Sequence, residues 1–475
     1  MDNKSFRKEA HKMVDWMADY LENIEQYPVK SGVSPCEIYD QIDKNPPQQG
    51  EQMNDIFSDF NEKIMPGITH WQHPNFHAYF TGNSSYPSVL AEMLTATIGA
   101  QCMIWDTSPA AAELEEKVME WLQQMLGLPL DWTGCIQDTA STATLSAILS
   151  AREKFTHYTI NQQGFTDQPQ FRVYCSKETH SSIDKAVKIA GIGVENLTKI
   201  DVDDSMAMLP DTLEKTILKD IEKGLKPLCV IATLGTTGTT AIDPINEIAA
   251  ICAKHSVWLH IDAAFAGTAL VLPQYRWMIK GIENADSFVF NPHKWMFTNF
   301  DCSAYFVKDK KALTRTFEIL PEYLKTKVDL QVNNYRDWGI PLGRRFRALK
   351  LWFVIRSYGV EGVKQRVQEH IEMAQALGKK MDAHTDFEQL SPLNFNMICF
   401  RYHPKGYNDE EKLNSLNEIL INTLNDSGKV YMTHTKIRGK YTIRMVIGQT
   451  YVQQRHVDMA WNLIQETAKN IDHEN

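Results

Sequence analysis

The chain has 475 residues, too many for one ordinary hydrophobic core, so two or three structural units are expected. A formal net charge of −10 argues against nucleic acid or an anionic membrane as the main partner. Eight dispersed cysteines without a CxxC pair suit a reducing compartment and speak against structural zinc or a disulfide framework, so no metal is expected. The start of the chain leads into charged helical sequence and no apolar run reaches membrane-spanning length, so a cytoplasmic protein is expected.

Between residues 6 and 24, Phe6, Ala10, Met13, Val14, Met17, Tyr20, Leu21 and Ile24 recur at three- and four-residue spacing, which predicts a helix with one apolar face. That face needs a partner, either the chain's own large domain or a second copy. Asn45-Pro-Pro-Gln-Gln-Gly50 reads as a surface loop. Trp71, Phe76, Tyr79 and Phe80 form an aromatic cluster that plain core packing explains as well as a binding site does. Thr139-Ala-Ser-Thr-Ala-Thr144 places small hydroxylated residues before a helical pattern carrying Leu145, Ile148 and Leu149, so a helix start is expected there.

Further on, short β-rich runs alternate with helical stretches: residues 171–175, 228–234, 258–261 and 287–290. This alternation predicts an α/β unit with a mostly parallel sheet covered by helices. The polar stretch of residues 320–344 is long enough to suggest a functional loop. After about residue 355, helical sequence surrounds two alternating strand candidates, 395–402 and 441–447, as in a small α+β domain. No internal repeat or low-complexity tract is present.

Two of the apolar runs end in chemistry. Ser287-Phe-Val-Phe-Asn-Pro-His-Lys-Trp295 delivers Lys294 just after a strand, and Val257-Trp-Leu-His-Ile-Asp-Ala-Ala-Phe265 carries a single carboxylate, Asp262, thirty-two residues upstream. In a sheet buried on both faces, active groups gather at the carboxyl ends of the strands. A lysine there can form a Schiff base with pyridoxal phosphate, and an acid can face the pyridinium nitrogen. Taken singly, Asp262 reads as a cap and Lys294 as a snorkelling surface residue; the pair at two strand ends favours the cofactor.

Those two segments, with Asn299-Phe-Asp-Cys-Ser303, Met65-Pro-Gly-Ile-Thr-His-Trp71, Ser84-Ser-Tyr-Pro87, Ala232-Thr-Leu-Gly-Thr-Thr237 and Pro341-Leu-Gly-Arg-Arg-Phe-Arg347, resemble the group II pyridoxal-phosphate decarboxylases almost end to end. The aromatic-L-amino-acid decarboxylase branch is the most similar. The resemblance implies a fold type I large domain over residues 84–355, an amino-terminal helical dimerisation segment over 1–83 and a small α+β domain over 356–475, with a mobile catalytic loop near 320–344. It also implies an intertwined homodimer with the active site at the subunit interface.

For the site, the resemblance implies pyridoxal 5'-phosphate held by Thr139, Ala140, Ser141, His180, Thr237, Asp262, Ala264, Asn291, His293 and Lys294. Lys294 is the Schiff-base lysine, Asp262 the partner of the ring nitrogen, His180 the residue stacked over the ring, and Tyr323 the proton donor to carbon. Trp71, Tyr79, Phe80, Thr81, Gly82, Met103 and Gly343 line the side-chain pocket, with residues 101–104 supplied by the facing subunit. Having both His180 and Tyr323 favours simple decarboxylation over aldehyde formation, and Gly343 leaves room for a large ring. Tryptophan, tyrosine, phenylalanine and dopa all remain open as substrates. A histidine or acidic amino-acid decarboxylase, an aldehyde synthase of the same fold, and an inert binding scaffold are the competing readings. Three departures stand out: Asp138 beside the expected phosphate, Met103 in place of phenylalanine, and Thr81-Gly-Asn83 in place of Pro-Thr-Ala.

Overall fold

A computed structural model describes residues 1–319 and 331–474, and the chain divides into two compact units. The smaller comprises Met1–Thr81, Lys379–Leu390 and Cys399–Asn475; the larger comprises Gly82–Gly378 and Ser391–Ile398. The first cut falls close to the expected boundary at residue 83. The second falls later than residue 355, inside the segment Arg347–Asp382, which is two helices joined across a break at Gly359 (φ +66°).

The larger unit is built on a seven-stranded sheet. Its strands are β1 (Thr133–Gln137), β2 (Phe171–Ser176), β3 (Leu197–Ile200), β4 (Lys226–Thr233), β5 (Trp258–Asp262), β6 (Ser287–Phe290) and β7 (Ser303–Val307), in spatial order β1-β7-β6-β5-β4-β2-β3. From β3 through β6 every neighbouring pair is parallel, and β7 runs antiparallel to both β6 and β1. The mostly parallel sheet expected from the alternation of runs is therefore present, with one reversed strand. Every residue of β5, β6 and β7 is buried, which is why these strands read as continuous apolar runs.

Helix Ala140–Phe155 crosses one face of this sheet. Ala140, Ala143 and Ala147 lie against Cys135, Val289, Tyr305 and Val307, and their small side chains allow close approach. Leu145, Ile148 and Ala151 join a second cluster with Val173, Cys175, Cys229 and Ile231. Three buried polar side chains on this face form a chain: Thr144 Oγ1 meets His260 Nε2 at 3.0 Å, and His260 Nδ1 meets Ser287 Oγ at 2.9 Å. Burial pushes the His260 pKa down to about 3, so the imidazole is neutral at physiological pH.

The smaller unit contains a four-stranded sheet of β8 (Phe387–Gln389), β9 (Met397–Tyr402), β10 (Thr433–Ile437) and β11 (Lys440–Val446), in the order β10-β11-β9-β8. Helices Glu410–Asp426 and Gln454–Glu474 accompany it. The amino-terminal helix, Asn3–Glu22, starts at Asp2, whose carboxylate accepts from Ser5 N at 2.7 Å. Trp16 stacks on Tyr20 and meets Phe57 and Phe60 edge-on, covering part of the predicted apolar face. Phe6 and Val14 of that face stay open, at 61% and 42% exposure.

Candidate active site

Asp262 ends β5, in register with Thr233 of β4 and Val289 of β6. Strand alternation puts it on the same face as His260, the face covered by helix Ala140–Phe155. It is buried, and its Oδ1 accepts from Ala264 N at 3.0 Å, while Oδ2 has no hydrogen-bond partner among the described residues. A buried carboxylate so arranged is an acceptor for a cationic N–H brought in from outside the chain.

Beside it β6 runs into the one-turn helix Pro292–Trp295, which carries Lys294. The Asn291 N–H donates to Ala264 O at 3.0 Å, so the segment before the lysine is tied to the segment after the aspartate. His180 stands beyond the end of β2 and is exposed. Its surroundings nevertheless desolvate it and hold its pKa below the usual imidazole value; the Lys294 ammonium pushes the same way and Asp262 opposes. Lys294 and Asp262 thus both act electrostatically on His180. Ser182 N donates to His180 Nδ1 at 3.1 Å, so the neutral ring carries its proton on Nε2.

The anion end is the start of helix Ala140–Phe155. Thr139 is its N-cap, accepting from Thr142 N at 3.3 Å, and the N–H groups of Ala140 and Ser141 have no partner among the described residues. Unpaired first-turn amides on a sixteen-residue helix suit a phosphate. Asp138 does not spoil this: its Oδ1 turns back to accept from Thr139 N at 2.6 Å. Ser303, at the start of β7, donates to Asn291 Oδ1 at 2.6 Å and approaches Asp138 O at 3.3 Å, bridging the lysine segment to the helix start. Sequence reasoning gave Ser303 no role, although a hydroxyl opening a buried apolar strand was a readable signal. His293 is buried and accepts from Cys302 N at 2.8 Å; burial pushes its pKa down to about 3.

The loop carrying Thr237 reads as flexible from its residues, yet it is a braced turn. Gly235 N donates to Ala241 O at 2.9 Å, and Ala241 N to the buried Thr236 Oγ1 at 3.0 Å. Gly235 takes φ +82° and a Cβ there would lie 2.6 Å from Ala266 Cβ, so only glycine fits. Thr237 itself is half-buried.

The expected pocket residues fall in both units. In the smaller unit, Trp71 and Tyr79 stack at 5.6 Å between ring centroids and remain 40% and 47% exposed. Tyr79 takes φ +53°, an uncommon conformation for a bulky residue and one that collects at functional sites. Phe76 is core, clustered with Val29 and Ala78, while Phe80 lies under the Arg444 guanidinium and Thr81 is fully buried. In the larger unit, Met103 O accepts from Arg336 N at 2.8 Å, and Gly82 directly precedes Asn83. Gly343 is exposed, and a Cβ there would meet only Gln101 Oε1, at 3.8 Å.

Tyr323 lies outside the described residues. Among the described residues of the expected loop, Tyr335 and Trp338 are buried in the cluster with Tyr305 and Leu313. Arg344 is pinned by Glu115 through bonds of 2.7 and 3.0 Å.

The donor set therefore fits a phosphorylated pyridine aldehyde: an amine to bind the aldehyde, a buried carboxylate for the ring nitrogen and a helix start for the phosphate. A family model for the pyridoxal-dependent decarboxylase conserved domain matches residues 35–403. Tyrosine decarboxylase 2 of Narcissus pseudonarcissus is 41% identical over 98% of this chain and 95% of its own length. Phenylacetaldehyde synthase of Arabidopsis thaliana is 41% identical over 100% of this chain and 98% of its own. The solved structure of Oryza sativa TDC with PLP and tryptamine matches at a TM-score of 0.96 and 32% identity, covering 99% of each chain. The cofactor is pyridoxal 5'-phosphate, and the chain belongs to the pyridoxal-dependent decarboxylase family.

Proposed function

We propose that the protein removes CO2 from an aromatic L-amino acid and releases the arylalkylamine, with Lys294 as the cofactor's attachment point. The observation that carries this reading is the buried Asp262, with one oxygen unpaired, acting electrostatically with Lys294 on His180. Bound there, the cofactor supplies an electron sink for the Cα–carboxylate bond. Asp262 keeps a proton on the ring nitrogen. His180, neutral and protonated at Nε2, offers a donor to the substrate carboxylate. Thr139, Ala140, Ser141, Thr237, Asn291 and His293 orient the cofactor, and Tyr323 delivers the proton to carbon. The open space at Gly343 supports a large aromatic side chain, and the relatives act on or are named for aromatic compounds.

The working form is a homodimer in the reducing cytoplasm. Tyr86, Leu90, Leu94 and Ile98 form an i, i+4 stripe on helix Tyr86–Ile98 and are 45–61% exposed, an apolar face that a second copy would cover. All eight cysteines are free thiols, seven of them buried, which supports a reducing compartment.

An aldehyde-forming reaction is the second reading, favoured by the equally similar phenylacetaldehyde synthase. The test is mass spectrometry of products, with peroxide measured in parallel, after incubation of the loaded protein with tryptophan, tyrosine, phenylalanine, dopa, histidine and glutamate. Amine without peroxide from an aromatic substrate is the expected result. Aldehyde with peroxide would replace it with the second reading, and turnover of histidine or glutamate alone would overturn the aromatic assignment.

A further inference from the structure

Asn83 stands where the resemblance has alanine, and its side chain reaches the backbone of the lysine. Its Nδ2 donates to Lys294 O at 2.7 Å, while its own N–H donates to His293 O at 3.1 Å. Helix Pro292–Trp295 has only one turn, so most of its carbonyls lack intrahelical partners. Pro292 O is taken by Met296 N, and the next two carbonyls are both taken by Asn83. Two residues on, Ser85 Oγ donates to Phe297 O at 2.7 Å. Asn83 and Ser85 are each 1% exposed, so water is a poor substitute at either position.

The consequence is local to the lysine. Lys294 N donates to Asn291 O at 2.9 Å, and its carbonyl is held by the Asn83 amide, so the peptide groups on both sides of its Cα are tethered. Any residue but proline could supply the N–H to His293. Only a side chain of asparagine's length with a terminal donor reaches the second carbonyl without moving the backbone. The lysine amine must leave the cofactor and return in each turnover, and its long side chain is flexible. A fixed Cα sets the point from which that amine returns.

We propose that Asn83 is a positioning residue for Lys294, fixing the lysine backbone through the Nδ2–carbonyl bond in a way that alanine at this position cannot. This rests on the reading of Lys294 as the attachment lysine. The test compares Asn83→Ala with the isosteric Asn83→Asp, which keeps the volume but cannot donate, so one variant remains informative if the other folds poorly. For each, kcat and KM are measured on protein corrected for cofactor content. In addition, the apo-protein is labelled with acetic anhydride across a pH series and the Lys294 peptide is quantified by mass spectrometry.

Loss of a buried hydrogen-bond partner predicts a kcat about tenfold lower for Asn83→Ala, with KM within about twofold. Asn83→Asp should lose at least as much, and its labelling curve should move to higher pH because a carboxylate beside the lysine favours the ammonium. The new carboxylate acts on the amine whatever role Asn83 has, so the discriminating readouts are the corrected kcat of both variants and the Asn83→Ala labelling curve; a purely structural role would lower melting temperature and yield but leave these in place. That outcome in either variant overturns the proposal. Lys294→Ala separates the two levels: sustained turnover by that variant sinks the attachment reading, whereas its inactivity alongside unchanged Asn83 variants sinks only the positioning role.

Discussion

Replacing Asp262 with asparagine is the most direct probe of the site, because it changes charge with almost no change in shape. The amide oxygen can keep the 3.0 Å bond from Ala264 N, which turns the amide nitrogen toward the place of the unpaired Oδ2. A donor there favours an unprotonated ring nitrogen, the reverse of what an electron sink needs. Losing a charge-assisted hydrogen bond costs about 1.5–3 kcal/mol. Two unit charges about 3 Å apart at an effective dielectric near 20 attract by about 5.5 kcal/mol, which sets the ceiling. The carboxylate is 5% exposed, so solvent screens it little and the upper part of that range applies. A fall in kcat/KM of about a hundredfold or more is expected, since about 2.7 kcal/mol corresponds to that factor.

A second readout needs no cofactor. Asp262 raises the His180 pKa whereas Lys294 lowers it, so Asp262→Asn should depress it further and Lys294→Ala should lift it. NMR titration of the apo-proteins measures both. A loss in kcat/KM below about tenfold, or His180 shifts of the same sign in both variants, would refute the electrostatic arrangement drawn here.

Acid should destabilise the fold through its histidines. His73 and His77 are pushed down to about 4, and His260 and His293 to about 3, all mainly by burial. Below the unfolded value near 6.5 the unfolded chain takes up protons that the folded chain refuses, so stability is complete above that pH and is lost as pH falls towards 4; between 6.5 and 5 each buried histidine costs about 2 kcal/mol. Denaturant titrations at pH 7 and pH 5 check this, and equal midpoints would contradict it. Leu90→Asp with Leu94→Asp should convert a dimer to monomer in light scattering, and an unchanged mass would remove helix Tyr86–Ile98 from the interface. Gly343→Ser meets only Gln101 Oε1, so folding should be unaffected, while discrimination against the largest ring should rise roughly 10- to 200-fold, a figure typical of small volume changes in a pocket; equal kcat/KM ratios before and after would place Gly343 outside the pocket.

How much of this was legible beforehand follows from burial. β5 and β6 are covered on both faces and so read as unbroken apolar runs, and a lone Asp262 or a nearby Lys294 at such an end is conspicuous. β1 and β3 were not readable: Thr-Gly-Cys-Ile-Gln and Leu-Thr-Lys-Ile are short, partly polar edge strands. Reversal of β7 leaves no periodic trace, because direction changes neither alternation nor hydrophobicity. The turn of Asp138 onto Thr139 and the bridge through Ser303 depend on local geometry that residue types alone do not specify. Asn83 lies 211 residues from the carbonyl it holds, so its departure from the expected alanine has no readable purpose until the fold brings the two segments together.

The product, in contrast, is decided by something smaller than the fold. Relatives of equal identity carry the names of a decarboxylase and of an aldehyde synthase, so neither the sheet, the lysine nor Asp262 distinguishes the two outcomes. Both reactions begin by breaking the same bond and use the same electron sink. They part only when the carbon left behind receives either a proton or oxygen. A proton donor poised at that carbon makes the first path faster, and His180 bears directly on the matter. Its depressed pKa and its Nδ1 bond from Ser182 N leave it neutral with one outward N–H, a group that can hold a carboxylate without being a strong acid itself. The proton for carbon then has to come from a different group, which is the part assigned to Tyr323. The amine reading thus asks for two residues with divided labour, one orienting the bond that breaks and one protonating the atom that remains, the roles proposed for His180 and Tyr323.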